Sequence, residues 1–252
     1  MRQNCELIKK EEIAKGIFDF RVKSPDMAKQ AECGQFLHIY CGEGTLLRRP
    51  ISICDADDET LRFIFEVKGK GTELLSQMNT GSMLDMMGPL GHGFMVSDAY
   101  EHPVIIGGGI GVFPLYALAK QVQSPTVYLG FRSHDRVVME DEFAAVASTV
   151  VATDDGSYGY NGFAVELLKA HIKEKPCDII YSCGPMPMLR AVKRIAEDAG
   201  IRCQLSLEQR MGCGIGACYV CSCETKKEGY DKYAKVCKDG PVFWSDEVTL
   251  DD

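Results

Sequence analysis

Apolar and polar residues alternate over short stretches in the first part of the chain, which predicts strands separated by turns. Strand-like segments occupy residues 36–41, 49–54 and 61–67, and a glycine-rich segment over 81–94 adds another. The segment 61–67 has apolar side chains at every second position, as expected for a strand with one buried face. Thr72 is expected to N-cap a short helix that follows these strands. Many short strands punctuated by glycine and proline favour an antiparallel β-barrel domain over residues 1–100.

After about residue 102, strands alternate with helices instead of with turns. A buried-type strand leads into a glycine turn, and a helix follows that turn. Further predicted strands lie at 126–131, 148–153, 178–183 and 201–207, with helices at about 139–147, 162–173 and 186–199. This alternation predicts βαβ units and a parallel sheet in a domain over residues 101–207. Residues 208–252 are rich in cysteine and glycine with weak periodicity, which indicates a small appended subdomain.

Composition excludes several classes of protein. The chain has 252 residues, of which 46% are hydrophobic and 25% charged, as in a globular protein of one or two domains. Its formal net charge of −8 disfavours binding to nucleic acid or to an anionic membrane. No apolar run approaches the ~18 residues that span a bilayer, and residues 1–16 contain no apolar stretch typical of a signal peptide. We therefore expect a cytoplasmic protein with reduced cysteines.

The cysteines divide into a scattered set and a clustered set. Seven of the twelve are isolated, at positions 5, 33, 41, 54, 177, 183 and 203, and are expected to pack as small apolar residues. The clustered set contains Cys213, Cys218, Cys221 and Cys237 in a C-x4-C-x2-C arrangement with a fifteen-residue spacer before the last. This spacing is typical of plant-type [2Fe–2S] sites. The glycines at 212, 214 and 216 suit a loop that wraps closely around a cluster.

Two alternatives remain for the clustered cysteines. The first is a structural zinc site, which usually contains two C-x2-C pairs, whereas this segment has a single pair of that kind. The second concerns Cys223, which competes with Cys221 for the third ligand position. Spacing favours Cys221.

Two further motifs suit anionic cofactors. Arg49, Pro50, Ile51 and Ser52 lie on a predicted barrel strand, and Gly71 and Thr72 follow at the start of a helix. An arginine can bind a pyrophosphate through two hydrogen bonds, a small hydroxyl can reach the edge of a flavin ring, and helix N-termini favour phosphate. A solvated surface arginine is the simpler alternative.

The second motif contains Gly107, Gly108, Gly109 and Gly111 between a strand and a helix, where a nucleotide phosphate can bind. Pro114 occupies the third glycine position of the usual fingerprint, so a tight turn without ligand remains an alternative. Cys183, Gly184 and Pro185 end a later strand of the same sheet. The Cys183 thiol there either lies beside a nicotinamide ring or serves packing.

In this order, RPIS, GT, GGGIG and CGP resemble the ferredoxin–NADP reductase superfamily. Its usual flavin motif is Arg-x-Tyr-Ser, and Ile51 here replaces the aromatic residue that packs on the flavin ring. Together with TDDGSYGYNGF at 153–163, CGPMPML and the E-x-R-M-x-C-G-x-G-x-C-x-x-C segment, these motifs resemble the electron-transfer subunits of class 1B dihydroorotate dehydrogenases. The resemblance covers essentially the whole chain.

The resemblance implies an FAD-binding β-barrel, an NAD-binding α/β domain and a C-terminal [2Fe–2S] subdomain. It implies that an FMN-bearing catalytic subunit, in a heterotetramer with two copies of each chain, oxidises dihydroorotate in pyrimidine biosynthesis. Electrons would pass through the cluster to FAD and then to NAD⁺, because a cluster carries single electrons and nicotinamide accepts a pair. The implied FAD ligands are residues 49–52, Gly71, Thr72 and the backbone of Glu66, Val67 and Lys68; the implied NAD ligands are Gly107 to Gly111 and Cys183 to Pro185.

No His/Asp/Ser triad or carboxylate pair stands out, as expected because hydride transfer from a flavin needs positioning more than acid–base groups, and the five histidines receive no role. Glu208, just before the cysteine-rich loop, either faces the flavin or is a solvated carboxylate. Other functions remain open: a similar subunit of a hydrogenase or of a ferredoxin–NADP transhydrogenase, a ferredoxin-like carrier that is not an enzyme, and a zinc-stabilised scaffold. The family favours NAD over NADP. Locally, Arg132 and Ser133 suit a 2′-phosphate whereas Asp135 repels one, so these residues do not decide.

Overall fold

The computed structural model describes residues 1–230 and 232–250. Its N-terminal part is a closed barrel of six antiparallel strands in the order β1-β2-β5-β4-β3-β6. The strands are β1 (Arg2–Ala14), β2 (Ile17–Lys23), β3 (Phe36–Ile39), β4 (Arg49–Ala56), β5 (Thr60–Glu66) and β6 (Met83–Leu90), with helices α1 (Pro25–Ala28) and α2 (Lys70–Ser76) between them. The predicted antiparallel barrel is confirmed.

Aromatic and aliphatic side chains fill the barrel. Phe20 and Phe63 are fully buried, and Phe20 meets Phe65 edge to face with ring centroids 5.1 Å apart. Leu7 of β1 and Leu75 of α2 contribute to the same core. Burial of this apolar surface is the main force that stabilises the barrel.

The predicted helix start at Thr72 is wrong. Helix α2 begins at Lys70, after Gly69, and Thr72 lies within its first turn. The Thr72 hydroxyl oxygen accepts hydrogen bonds from the backbone N–H groups of Lys68 at 2.9 Å and Gly69 at 3.3 Å. Thr72 therefore stabilises the start of the helix from inside, as the third residue of a capping box does.

The central part is a parallel sheet in the order β10-β9-β8-β7-β11-β12. The strands are β7 (Pro103–Gly108), β8 (Thr126–Phe131), β9 (Ser148–Thr153), β10 (Tyr160–Asn161), β11 (Ile179–Cys183) and β12 (Arg202–Ser206); the helices are α3 (Leu115–Gln121), α4 (Glu140–Ala144), α5 (Ala164–Glu174) and α6 (Met186–Ala199), with short 3₁₀ turns at Gly109–Val112 and His134–Arg136. The predicted βαβ arrangement is confirmed, although α4 is shorter than the predicted helix.

The C-terminal segment contains β13 (Ser222–Glu224), β14 (Tyr233–Lys235), α7 (Val236–Asp239) and β15 (Val242–Trp244). Strands β13 and β14 form a small hairpin, whereas β15 pairs antiparallel with β12 and becomes the edge of the large sheet. Cys221 and Cys237 pack in the same apolar core as Leu205 of β12. The domain boundaries given by the sequence remain predictions. The pairing of β15 with β12 joins residues from the two sides of the predicted boundary at 207/208.

Charged side chains connect the barrel to the sheet. Arg62 of β5 is buried, binds the buried carboxylate of Asp19 at 2.8 Å and also pairs with Glu142 of α4. Arg136 pairs with Glu66 at the end of β5. A buried arginine that lost these partners would be strongly destabilising, so the network fixes how the two domains face each other. Among the helices of residues 1–230 and 232–250, none is long and apolar enough to cross a membrane.

Candidate functional site

Three segments singled out by the sequence leave the sheet at one edge. The glycine motif begins at the end of β7, Cys183 ends β11 and is followed by Gly184 and Pro185, and the cysteine-rich loop follows β12. These strands are adjacent and parallel, with Cys183 in register with Gly107 on one side and Ser206 on the other. The carboxyl edge of a parallel sheet is where such folds bind ligands.

The glycine turn and the Cys183 loop are in direct contact. A Cβ atom at Gly111 would lie 2.6 Å from the carbonyl oxygen of Cys183 and from Gly184, and one at Gly184 would lie 3.0 Å from the nitrogen of Gly108. These glycines are therefore required by contact between the two loops. Gly109 differs, because it has a positive φ of 54°, is exposed, and no described atom lies within 4 Å of its Cβ position. Burial raises the pKa of the half-buried Cys183 thiol to about 12.

In the cysteine-rich loop, backbone N–H groups point at thiol sulfurs. Gly216 donates to Cys237 Sγ at 3.2 Å, Cys218 donates to Cys213 Sγ at 3.4 Å, and Cys237 donates to Cys221 Sγ at 3.4 Å. Gly214 and Gly216 have φ values of 72° and 79°, a left-handed conformation that favours glycine. N–H groups directed at cysteine sulfurs are what an anionic iron–sulfur cluster requires from its loop.

The four thiols form two pairs. The sulfur atoms of Cys213 and Cys218 lie 3.4 Å apart, and Cys221 and Cys237 are joined by the hydrogen bond described above. Within the described ranges, no three His, Cys, Asp or Glu side chains converge on a single metal ion. Two pairs of thiolates suit the two irons of a [2Fe–2S] cluster better than one tetrahedral zinc ion. The residues therefore fit the cluster.

The thiols of Cys213 and Cys237 differ in acidity. Burial acts to raise the pKa of Cys213, but hydrogen bonds from the backbone of Cys218 and its neighbours outweigh it and lower the pKa to about 6. Burial, reinforced by the adjacent Cys221, raises the pKa of Cys237 to about 12. Cys223, the alternative third ligand, belongs to β13, where it is paired with Ala234, and burial raises its pKa to about 11. The Cys221 sulfur, by contrast, accepts the hydrogen bond from the backbone N–H of Cys237.

The two halves of the predicted flavin motif meet in space. A Cβ atom at Gly71 would lie 2.6 Å from Nε of Arg49, so the guanidinium of β4 lies directly over the first turn of α2. Pro50, Ile51 and Ser52 follow Arg49 along β4, and all are half-exposed. The contact explains why residue 71 is glycine and brings a cation to a helix start.

At the end of β5 and just after it, two backbone N–H groups of the predicted flavin site have partners within the chain. The Val67 N–H donates to the Gly16 carbonyl at 2.8 Å, and the Lys68 N–H donates to Thr72. The Glu66 carboxylate pairs with Arg136 and lies 3.6 Å from Lys68 Nζ. Both N–H groups thus already have partners within the chain, so the roles of Glu66, Val67 and Lys68 toward FAD remain predictions.

The residues that bear on NAD against NADP lie after β8. The Ser133 hydroxyl donates to Asp135 at 2.5 Å, Arg132 is exposed, and His134 stacks on Tyr158 with ring centroids 4.9 Å apart. Asp135 therefore engages the serine that could have bound a phosphate. These local contacts, like the sequence, favour neither NAD nor NADP.

His38 is a residue to which sequence reasoning assigned no role. It lies on β3, in register with Pro50 of the flavin motif, and only 1% of its surface is exposed. Nδ1 lies 2.5 Å from the Cβ position of Gly214 in the cysteine-rich loop. Burial, followed by the positive charge of Arg48, lowers its pKa. The available signal was a histidine within an otherwise apolar strand, all four positions of which are buried.

Comparison with known proteins agrees with this geometry. Residues 4–94 match the oxidoreductase FAD-binding domain family, and residues 208–249 match the iron–sulfur cluster binding domain of dihydroorotate dehydrogenase B. The barrel, the sheet and the cysteine-rich loop thus define a flavin- and iron–sulfur-binding oxidoreductase chain. An NADH-dependent reduced ferredoxin–NADP oxidoreductase structure superimposes with a TM-score of 0.88 at 30% identity, over 98% of this chain and 90% of that one.

Still more similar sequences come from curated relatives. The chain is 42% identical to the electron transfer subunit of dihydroorotate dehydrogenase B (NAD(+)) from Bacillus cereus (strain Q1), over 99% of both chains. The corresponding subunit from Bacillus anthracis (strain A0248) gives the same identity and coverage. The chain belongs to the family of dihydroorotate dehydrogenase B electron transfer subunits. The resemblance noted from its motifs is confirmed, as are the FAD-binding and iron–sulfur-binding domains.

Proposed function

We propose that this chain transfers electrons from a dihydroorotate-oxidising catalytic subunit, through a [2Fe–2S] cluster and FAD, to NAD⁺ in pyrimidine biosynthesis. The observation that carries the proposal is the presence of three sites in one chain: the two thiol pairs, the Arg49–Gly71 contact and the glycine turn. Sequence identity of 42% to a dihydroorotate dehydrogenase B electron transfer subunit, over 99% of both chains, supports the same function.

The side chains would act by binding and orientation. FAD, when bound, exchanges single electrons on one side and a hydride on the other, which makes it the required link between cluster and nicotinamide. Arg49 would bind the FAD pyrophosphate through charge-assisted hydrogen bonds, and Ser52 would face the flavin ring from the same strand. The loops at Gly109 and Cys183 would hold NAD at the carboxyl edge of the sheet.

The partner would be an FMN-bearing catalytic subunit, in an assembly with two copies of each chain. Apolar side chains of the cysteine-rich loop point to where it binds: Ile215, Tyr219 and Val220 are each more than half exposed. Exposed apolar residues grouped beside a redox centre are typical of a protein-binding surface. A reducing cytoplasm suits a chain whose twelve cysteines are all free.

The second candidate function is reduction of NADP by ferredoxin. The structure of an NADH-dependent reduced ferredoxin–NADP oxidoreductase, at 30% identity, superimposes closely on this chain. The higher identity to dihydroorotate dehydrogenase subunits, over 99% of their length, favours the first function. The ferredoxin-like carrier and the zinc scaffold have weaker support, since the chain combines FAD-binding and iron–sulfur domains. A hydrogenase subunit would share both domains, and the identity to dihydroorotate dehydrogenase subunits over 99% of their length disfavours it.

Co-expression with the catalytic subunit tests the proposal. The purified complex should reduce NAD⁺ when dihydroorotate is added, whereas the isolated chain should oxidise NADH with artificial acceptors and leave dihydroorotate unchanged. A complex that contains Cys218→Ser provides the control, because it should still oxidise dihydroorotate with a dye but not reduce NAD⁺. Dihydroorotate oxidation by the isolated chain, or NAD⁺ reduction that survives Cys218→Ser, would contradict the relay.

A further inference from the structure

His38 is buried between two parts of the molecule that the proposed function connects. Its strand β3 pairs with β4, so that His38 faces Pro50 of the flavin motif. On the other side its ring lies against Gly214, the residue after the cluster ligand Cys213. The imidazole is therefore a side chain of the barrel in direct contact with the cysteine-rich loop.

The ring is buried without hydrogen bonds. Only 1% of the residue is exposed, and neither Nδ1 nor Nε2 has a hydrogen-bond partner among the residues described. The carbonyl oxygens of Arg48 and Cys213 are near enough to act on the ring, yet neither accepts a hydrogen bond of normal geometry. Buried polar atoms are nearly always paired in folded proteins, so an unpaired imidazole at this position indicates a contact that cluster binding completes.

Gly214 shows that the space around the ring is tight. A Cβ atom at this glycine would lie 2.5 Å from Nδ1, which real side chains do not tolerate. Gly214 is also buried, with a positive φ of 72°. The loop can approach the imidazole this closely only because residue 214 is glycine.

We propose that His38 is a positioning residue for the iron–sulfur site, whose ring N–H donates a hydrogen bond to the Cys213 carbonyl when the cluster is bound. This bond would hold the first cluster ligand against β3, and thereby against the strand that carries Arg49 to Ser52. The inference rests on cluster binding by the cysteine-rich loop. It goes beyond the proposed function because it names a side chain that holds the cluster site in position relative to the flavin site.

Two substitutions of His38 separate hydrogen bonding from packing. His38→Leu fills similar space without a donor, whereas His38→Gln keeps an N–H group on a flexible side chain. His171→Leu is the matched control, because His171 is also buried but bonds to Tyr128 at 2.8 Å in another part of the fold. The holoprotein is measured for iron content, for the rate at which a chelator removes iron, and for the EPR spectrum and potential of the reduced cluster.

We expect a chelator to remove iron about tenfold faster from His38→Leu, the factor expected from one net hydrogen bond. Its EPR spectrum should change and its cluster potential should fall, while His38→Gln should restore wild-type values and His171→Leu should not alter them. Equal effects of Leu and Gln would overturn the hydrogen-bonding role, and so would a His38→Leu protein with wild-type spectrum and potential. Absence of iron from the wild-type protein would instead contradict the cluster assignment.

A second pair of variants does not depend on the folding of His38→Leu. Gly214→Ala and Gly216→Ala both place a side chain on a left-handed residue of the same loop, but only the first meets His38; the second meets the flexible chain of Lys238. Gly214→Ala should change the EPR spectrum and accelerate iron loss, and Gly216→Ala should do so much less. Equal spectra for the two variants would overturn the proposal.

Discussion

Two glycine-rich loops leave strands β7 and β12 of one sheet, on either side of β11, and their glycines serve different purposes. In the cysteine-rich loop, glycines adopt left-handed conformations that aim backbone N–H groups at thiol sulfurs, as Gly216 does toward Cys237. In the turn after β7, Gly111 makes room for the backbone of the Cys183 loop. Glycine content alone therefore does not identify a ligand-binding loop; the identity of the nearest atom does.

The cysteine-rich loop predicts the largest effect. Cys218→Ser should remove both irons and the visible absorbance, because each iron of a [2Fe–2S] cluster requires two protein ligands. Cys221→Ser should do the same. Cys223→Ser is the control and should keep full iron content, since Cys223 is paired within the β13–β14 hairpin. Iron analysis and visible spectra decide, and loss of iron from Cys223→Ser would show that the ligand set is wrong.

In the metal-free protein, Cys213 and Cys237 should differ in reactivity. With a pKa of about 6, Cys213 is mostly thiolate at neutral pH, whereas Cys237, with a pKa of about 12, is protonated. Iodoacetamide should therefore modify Cys213 more than about 100-fold faster than the buried Cys237. The rate at Cys213 should rise with pH and reach half its maximum near pH 6. Peptide mass spectrometry over a pH series measures both rates, and equal labelling would contradict the difference.

Gly71 provides a third case, in which a glycine makes room for a functional side chain. Arg49→Ala should weaken FAD binding about 100-fold, because charge-assisted hydrogen bonds worth about 3 kcal/mol are lost. Gly71→Ala should weaken it to a similar degree by displacing the guanidinium. Arg21→Ala, which removes an exposed arginine elsewhere on the barrel, should have no effect. Flavin fluorescence on dilution gives the affinities, and tight binding by Arg49→Ala would exclude its role.

The glycine turn itself should show the smallest effects, divided between stability and binding. Gly111→Ala should lower stability by about 3 kcal/mol, because its side chain would collide with backbone that cannot move aside. Gly109→Ala should cost only about 1 kcal/mol, the penalty of a left-handed alanine, but should raise KM for NADH. Thermal unfolding and NADH oxidation separate the two. An unchanged KM for NADH in Gly109→Ala would indicate that the turn serves packing and does not bind the nucleotide.

Much of this architecture was predictable, because its signals are local. The βαβ pattern after residue 102 and the spacing of the four cysteines each follow from a short stretch of sequence. Strand β1 escaped prediction because its thirteen residues alternate weakly and most are charged or polar, with Cys5 and Leu7 alone fully buried. Its place is decided by pairing with β2 and β6, which sequence periodicity does not show.

For the site, the sequence predicted the individual motifs but not the contacts between them. The motifs identified Arg49 and Gly71 separately, but their contact depends on how α2 packs over β4. His38 was missed for the same reason, since its neighbour Gly214 lies far away in sequence. Packing of the cysteine-rich loop against the barrel brings the two together. Long-range contacts of this kind are the part of a site that spacing rules cannot supply.

The pairing of β15 with β12 links maturation of the cluster to completion of the sheet. The fourth thiol, Cys237, and the edge strand Val242–Trp244 lie within the same short segment near the end of the chain. Because synthesis runs from the N-terminus, this segment emerges after β7 to β12 and after the other three thiols. Iron insertion and completion of the sheet edge therefore both wait for one stretch of polypeptide.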